Sequence, residues 1–169
     1  MFRFIAMVMG IIGALGGSQA PGFTLQYMQN LTGRIDELRP IVEQFDANVA
    51  SAGYNRTTAL AECDRASTSP SLLSALCESY VSTVRRFQLL YEHLSALNAT
   101  DELRRPLLLA QTFERDIAES VASVFEPAVP ATSAGALYAG GGFALLWGGF
   151  SFVFGILGAL FGGGRREYA

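Results

Sequence analysis

The sequence predicts an all-α membrane protein: two antiparallel transmembrane helices plus an extramembrane helical bundle or hairpin. Three observations carry that expectation. The two ends of the chain hold long apolar runs almost free of charge, and nearly all the charged side chains lie between Arg34 and Glu126. In that middle segment the apolar residues recur at steps of three and four, the period of a helix rather than a strand. No segment shows period-two alternation, so no sheet is expected.

The first run, Phe2 to Leu15, is apolar apart from Arg3, and Gly16 to Ala20 extends it without charge. It approaches the ~20 residues needed to cross the hydrocarbon of a bilayer. A signal peptide would look similar, with Arg3 as its basic start and Ser18-Gln19-Ala20 as a small-residue cleavage site. Pro21 directly after that site disfavours cleavage, so an uncleaved anchor over residues 1–20 is expected. The second run, Leu137 to Phe161, contains no charge and includes Trp147. Tyr138 stands at its start, where an interfacial aromatic belongs. A span within residues 135–163 follows.

Arg165 and Arg166 close the second run, and Arg3 marks the other terminus. Basic residues beside spans stay in the cytoplasm, and long loops translocate largely regardless of charge. Both termini are therefore expected in the cytoplasm, with residues 164–169 as a tail and residues 21–130 as a periplasmic domain. All twelve basic residues are arginine, and alanine and glycine abound. That usage fits a GC-rich bacterial genome, and hence the bacterial inner membrane. The net charge is −3, with no long basic run. Nucleic-acid binding needs clustered cations and is disfavoured.

Both spans carry small residues on one helical face. Ala6, Gly10, Gly13, Gly17 and Ala20 recur in the first, and Ala144, Gly148, Ser151, Gly155, Gly158 and Gly162 in the second. Such faces let helix backbones approach closely in lipid. The economical expectation is that the two seams pack on each other within one molecule. The alternatives are packing between copies, and the ordinary abundance of glycine in membrane helices.

In the middle segment, Met28, Leu31, Ile35, Leu38, Val42, Phe45 and Val49 form a coiled-coil-like seam. They predict a helix from about Gly22 to Ala52, kinked at Arg39-Pro40 and stopped by Gly53. A short helix is expected from Thr57 to Ala66. A long one is expected from Ser71 to Leu97, begun by Ser69-Pro70, with Leu73, Leu76, Tyr80, Val84, Phe87, Tyr91 and Leu94 as its stripe. Thr100 is expected to cap a further helix reaching Phe125, bent or restarted at Pro106. Asn55 and Asn98 lie in N-x-T triplets and are expected as turn residues beside helix starts.

Cys63 and Cys77 each lie seven residues from Pro70. A hairpin around that proline would bring them together as a disulfide. A redox pair, or two reduced buried thiols, are the other readings. No C-x-x-C motif is present to favour redox chemistry. Chemistry is otherwise sparse. His93 is the single histidine, and with the two cysteines it makes a poor metal set. Arg85-Arg86 and Arg104-Arg105 are flanked by acids and read as solvated or internally paired. No catalytic residue, metal site or cofactor is expected.

Tyr27, Gln29, Leu31, Gly33, Asp36 and Glu37 follow the first span, and Phe125-Glu126-Pro127-Ala128-Val129-Pro130 leads into the second. With this order of features the chain resembles a proteobacterial inner-membrane family known only as a domain of unknown function. The resemblance covers nearly the whole chain and implies no activity and no functional residue. The second span is richer in glycine than that family leads one to expect. The expected role is non-enzymatic: an accessory or structural protein associating with other membrane proteins or with itself in the lipid bilayer. A small oligomeric pore or membrane-shaping protein is the first alternative, and a periplasmic redox or sensor module the second.

Overall fold

A computed structural model describes residues 2–66, 71–127 and 132–161. Seven helices account for all the regular structure among these residues: α1 (Phe2–Ser18), α2 (Ala20–Ser51), α3 (Arg56–Ala66), α4 (Leu72–Ala99), α5 (Arg105–Thr112), α6 (Arg115–Val124) and α7 (Ser133–Phe161). Two of them, α1 running on into α2, and α7, are long and apolar enough to cross a membrane.

Only Gln19 separates α1 from α2, and its backbone is itself right-handed helical. Its N–H donates to the Gly16 carbonyl at 3.2 Å, and its carbonyl accepts from Phe23 at 2.9 Å. Pro21 lies in the first turn of α2, where a missing N–H costs little. The apolar N-terminal helix therefore feeds directly into the long helix that organises the rest of the chain.

That helix continues through Pro40 to Ser51, close to the end expected at Ala52. Pro40 lies inside α2 on its exposed side, where a carbonyl that loses its helical partner can turn to water. The stop comes at Gly53, as its position implies. Gly53 has φ +80°; its N–H reaches the Ala50 carbonyl and that of Tyr54 the Val49 carbonyl, both at 3.0 Å. These are the two bonds of a Schellman cap, which needs a left-handed residue at that point.

Asn55 begins α3 with a reciprocal cap, its Oδ1 accepting from Thr58 N–H at 2.9 Å while its own N–H donates to Thr58 Oγ1 at 3.0 Å. Asn98, by contrast, sits in the last turn of α4 and not beside a helix start. The start signal Ser69-Pro70 falls outside the described residues. Ser71 and Ser74 form a capping box at the head of α4, so serine side chains satisfy N–H groups that the helix cannot.

The third long helix expected from the sequence is two short ones. Thr100 is the C-cap of α4, and Asp101 and Glu102 lie in the following turn. Pro106 lies in the first turn of α5, so of the two expected outcomes, a bend or a restart, it is the restart that occurs. A further break comes at Phe113 and Glu114. There the Glu114 N–H, left free at the head of α6, donates to the Tyr27 hydroxyl at 2.9 Å. A partner 87 positions away in sequence stabilises that break, so local sequence does not reveal it.

Helices α2, α4, α5 and α6 close round one core of Tyr27, Leu31, Ile35, Leu90, Leu97, Leu109, Ile117 and Val121. Further along α2, Val42 meets Tyr80 and Val84, with Phe45, Leu60 and Phe87 around them. Low-numbered residues of α2 thus lie beside the high-numbered end of α4, and the two form a long hairpin. Every member of the α2 seam, Met28 through Val49, is buried or half-buried. The stripe of α4 is shifted from the expected one. Leu73, Leu76 and Tyr91 are exposed, while Cys77, Leu90 and Leu97 point inward. This helix is apolar on adjoining faces, and periodicity alone cannot choose among them.

Each fully buried aliphatic side chain in this core contributes roughly 1.5–3 kcal/mol. Ile117 is fully buried and joins α6 to α2. Replacing it with alanine is expected to destabilise the helical domain by about 3 kcal/mol, as read from denaturant unfolding followed by circular dichroism. Ile41→Ala, at an exposed position of α2, is expected to change stability by less than about 0.5 kcal/mol.

Candidate functional site

The most extensive helix pairing among the described residues is between α1 and α7, and its chemistry is that of glycine. A Cβ placed on Gly13 would collide with the carbonyl of Gly142, and one on Gly142 with the carbonyl of Gly13. A Cβ on Gly17 would strike the Tyr138 carbonyl, and one on Gly10 the ring of Phe143. Backbone therefore lies on backbone in the middle of the contact. The glycine Cα hydrogens face carbonyl oxygens, a geometry that recurs at close helix crossings as weak C–H···O bonds. Phe143 and Trp147, their rings stacked with centroids 6.2 Å apart, fill the space left open at Gly10. As the position rises along α1, from Gly10 to Gly13 to Gly17, the contacted position falls along α7, from Trp147 to Gly142 to Tyr138.

The α1 seam lies at this contact. Ala6, Gly10 and Gly13 are buried, and Gly17 and Ala20 are half-buried. The α7 seam does not. A methyl group added to Gly148, Gly155 or Gly158 would meet nothing within 4 Å among the described residues, and Ala144 and Ser151 are exposed. Gly162 falls outside the described residues. At 3.6 residues per turn, positions 144, 148, 151, 155 and 158 lie roughly opposite Gly142 on the helix. The expectation that the two seams pack on each other is therefore corrected. Three- and four-residue spacing marks a face of α7, but this helix has small residues on both sides, and spacing cannot say which side meets α1. The glycine that does, Gly142, closes the run Gly140-Gly141-Gly142 and is four residues from Tyr138.

A polar cluster lies beside the main core. Tyr27 accepts from the Glu114 backbone, and the Glu114 carboxylate is held by Arg86 at 2.5 Å. His93 Nε2 is 3.3 Å from Thr112 Oγ1, and its ring is tilted 5.7 Å from that of Tyr27. Burial lowers the His93 pKa, and the nearby Glu114 charge opposes that shift. Burial likewise raises the pKa of the Tyr27 phenol. Sequence patterns do not show this constellation, because its members come from α2, α4, the end of α5 and the α5–α6 break. Its evident work is to hold those elements together: the Glu114 carboxylate is ion-paired to Arg86 and the Tyr27 hydroxyl is occupied. Of the two arginine pairs, Arg86 is paired in this way, and the Arg105 guanidinium donates to the carbonyls of Leu97 and Thr100. Among the described residues no group of three or more His, Cys, Asp or Glu side chains is placed to hold a metal ion.

At the far end of the hairpin Cys63 and Cys77 lie at disulfide distance, with Cα atoms 5.1 Å apart. The helix they tie down has little else to hold it. Cys63 is the buried residue of α3, Leu60 is only partly buried against the second core, and Arg56 forms an ion pair with Asp46 of α2. That hydrogen-bonded pair holds the Asp46 carboxyl below the usual carboxylate range, but it is partly exposed and contributes at most about 1 kcal/mol.

The architecture is thus an all-α chain with two helices fit to cross a membrane and a helical hairpin between them. The family described as "Protein of unknown function (DUF2937)" matches residues 1–163, and the chain belongs to that family. No curated protein and no solved structure matches the chain.

Two substitutions test this geometry. Gly13→Leu has no room between the backbones of α1 and α7. It is expected to separate them and reduce the yield of monodisperse protein in mild detergent, measured by size-exclusion chromatography. Cys63→Ser is expected to cost up to about 3 kcal/mol under oxidising conditions, the scale for closing a loop of this size. Thermal melts with and without reductant check it, since wild type in reductant should match the variant.

Proposed function

We propose that this is a two-span protein of the bacterial inner membrane that serves as a non-enzymatic structural or accessory partner of other membrane proteins. In this reading α1 and α7 cross the bilayer antiparallel. Both termini lie in the cytoplasm, and α2–α6 form the periplasmic domain. The descending order of contacts between α1 and α7 supports the antiparallel arrangement. Large apolar side chains on the outer surfaces of both helices support a lipid surround, among them Phe4 at 72%, Leu145 at 76% and Phe152 at 69% exposure. Surface of that kind is stable against acyl chains and costly against water. The cysteine pair suits an oxidising compartment.

The observation that carries the partner reading is the open small-residue face of α7. Gly148, Ser151, Gly155 and Gly158 form a smooth strip pointing away from α1. In lipid, helices gain little from hydrophobicity and associate by close packing. A strip of this kind is where another membrane helix fits, whether from a different protein or from a second copy. Cofactors have no part in the proposal.

The test is purification of the tagged full chain from its native membrane in mild detergent, followed by native mass measurement and identification of co-purifying chains. A complex of defined stoichiometry is expected. Gly155→Leu, at an open position, is expected to leave the melting temperature unchanged and to dissociate the complex. A wild-type chain that runs alone as a monomer, or a variant whose complex keeps its full mass, overturns the proposal.

A further inference from the structure

The corner between α4 and α5 carries apolar side chains that the helical domain does not need. Leu103 is 46% exposed and Leu107 58% exposed. With Leu137, Gly141, Gly142 and Leu145 of α7 they line a shallow apolar groove that ends against Gly17 of α1. The groove is continuous with the outer surface of α7, where Leu145 is largely exposed.

The depth of the corner is set by one hydrogen bond. The Tyr138 hydroxyl donates to the Leu103 carbonyl at 2.5 Å. A tyrosine at the head of a span places its ring at the headgroup boundary, with its hydroxyl toward the polar side. The carbonyl it holds lies at that same level. Gly141, Gly142 and Leu145 follow Tyr138 by one to two turns into the span, so a side chain that shares a groove with them reaches the top of the acyl region.

We propose that the α4–α5 corner is a membrane-immersed foot, and that the groove between Leu107 and α7 holds an acyl chain of a bilayer lipid. This rests on the two-span reading above and adds to it. The helical domain would then not stand clear of the bilayer on two stalks. It is seated in the outer surface through Leu103 and Leu107. Burial of side chains such as these in the acyl boundary is the ordinary means by which an interfacial segment gains membrane affinity.

The full chain carries one tryptophan, Trp147, so Trp147→Phe provides a silent background for single-tryptophan reporters. Leu107→Trp, with Leu103→Trp as a second reporter, would be reconstituted into phosphatidylcholine vesicles whose acyl chains are brominated at shallow or at deep positions. Phe152→Trp, within the span, and Leu89→Trp, exposed on α4, are the references. The expected result is a blue-shifted Leu107→Trp spectrum quenched by shallow bromines, Phe152→Trp quenched by deep bromines, and Leu89→Trp quenched only by aqueous acrylamide. If Phe152→Trp is quenched and both corner reporters behave like Leu89→Trp, the foot is overturned while the spans stand. If Phe152→Trp itself escapes the bromines, the two-span reading fails and the foot fails with it.

Discussion

At Gly13 and Gly142 no side chain separates the two terminal helices; the carbonyl of each occupies the place of the other's missing Cβ. Van der Waals attraction falls steeply with distance, and close packing is the main source of helix affinity in a lipid environment. This contact sets how far α7 slides along α1. That register brings Tyr138 level with Gly17 and within reach of the Leu103 carbonyl. Through that one hydroxyl the α4–α5 corner is held against the head of α7. Since α1 continues into α2 with one residue between, the same contact also orients the long helix on which the core is assembled.

From that crossing outward the chain is held by successively different forces. Backbone proximity joins α1 to α7. Aliphatic burial joins α2 to α4, α5 and α6 around Leu31, Ile35 and Ile117. Polar bonds from Tyr27 and Arg86 fasten the α5–α6 break at Glu114. At the far end, where α3 buries little, the paired cysteines and the Arg56–Asp46 ion pair take over. Each mechanism suits its surroundings. In the proposed two-span arrangement, close packing suits lipid, hydrophobic burial needs water outside, and a cross-link serves where the core is too thin to hold a helix by itself.

The two faces of α7 divide the labour of that helix. One, through Tyr138, Gly142 and Phe143, belongs to the molecule's own fold. On the opposite one, a methyl group added to Gly148, Gly155 or Gly158 would meet nothing among the described residues, and Ser151 is exposed. A helix needed only to cross a bilayer has no use for a second smooth face, because leucine or valine there fills the space at least as well and helix propensity disfavours glycine. The proposed role in association gives that second face a purpose.

Much was legible in the residues themselves. The uncharged runs, the three-and-four spacing of Met28 to Val49, and the positions of Cys63 and Cys77 about Pro70 are local patterns. They report which stretches are helical, which face of α2 is inward, and which thiols can meet. The left-handed stop at Gly53 belongs with them, because only glycine takes that conformation freely. Tertiary structure alone decided the remainder. It selected Gly142 over the more regular glycines of α7 and Leu90 over Tyr91 in α4, and it added a break at Phe113-Glu114 beyond the restart at Pro106. In each case the sequence offers two or more local solutions of similar energy, and the choice is made by a partner far away in the chain: Gly13 for α7, the core of α2 for α4, and the Tyr27 hydroxyl for the break.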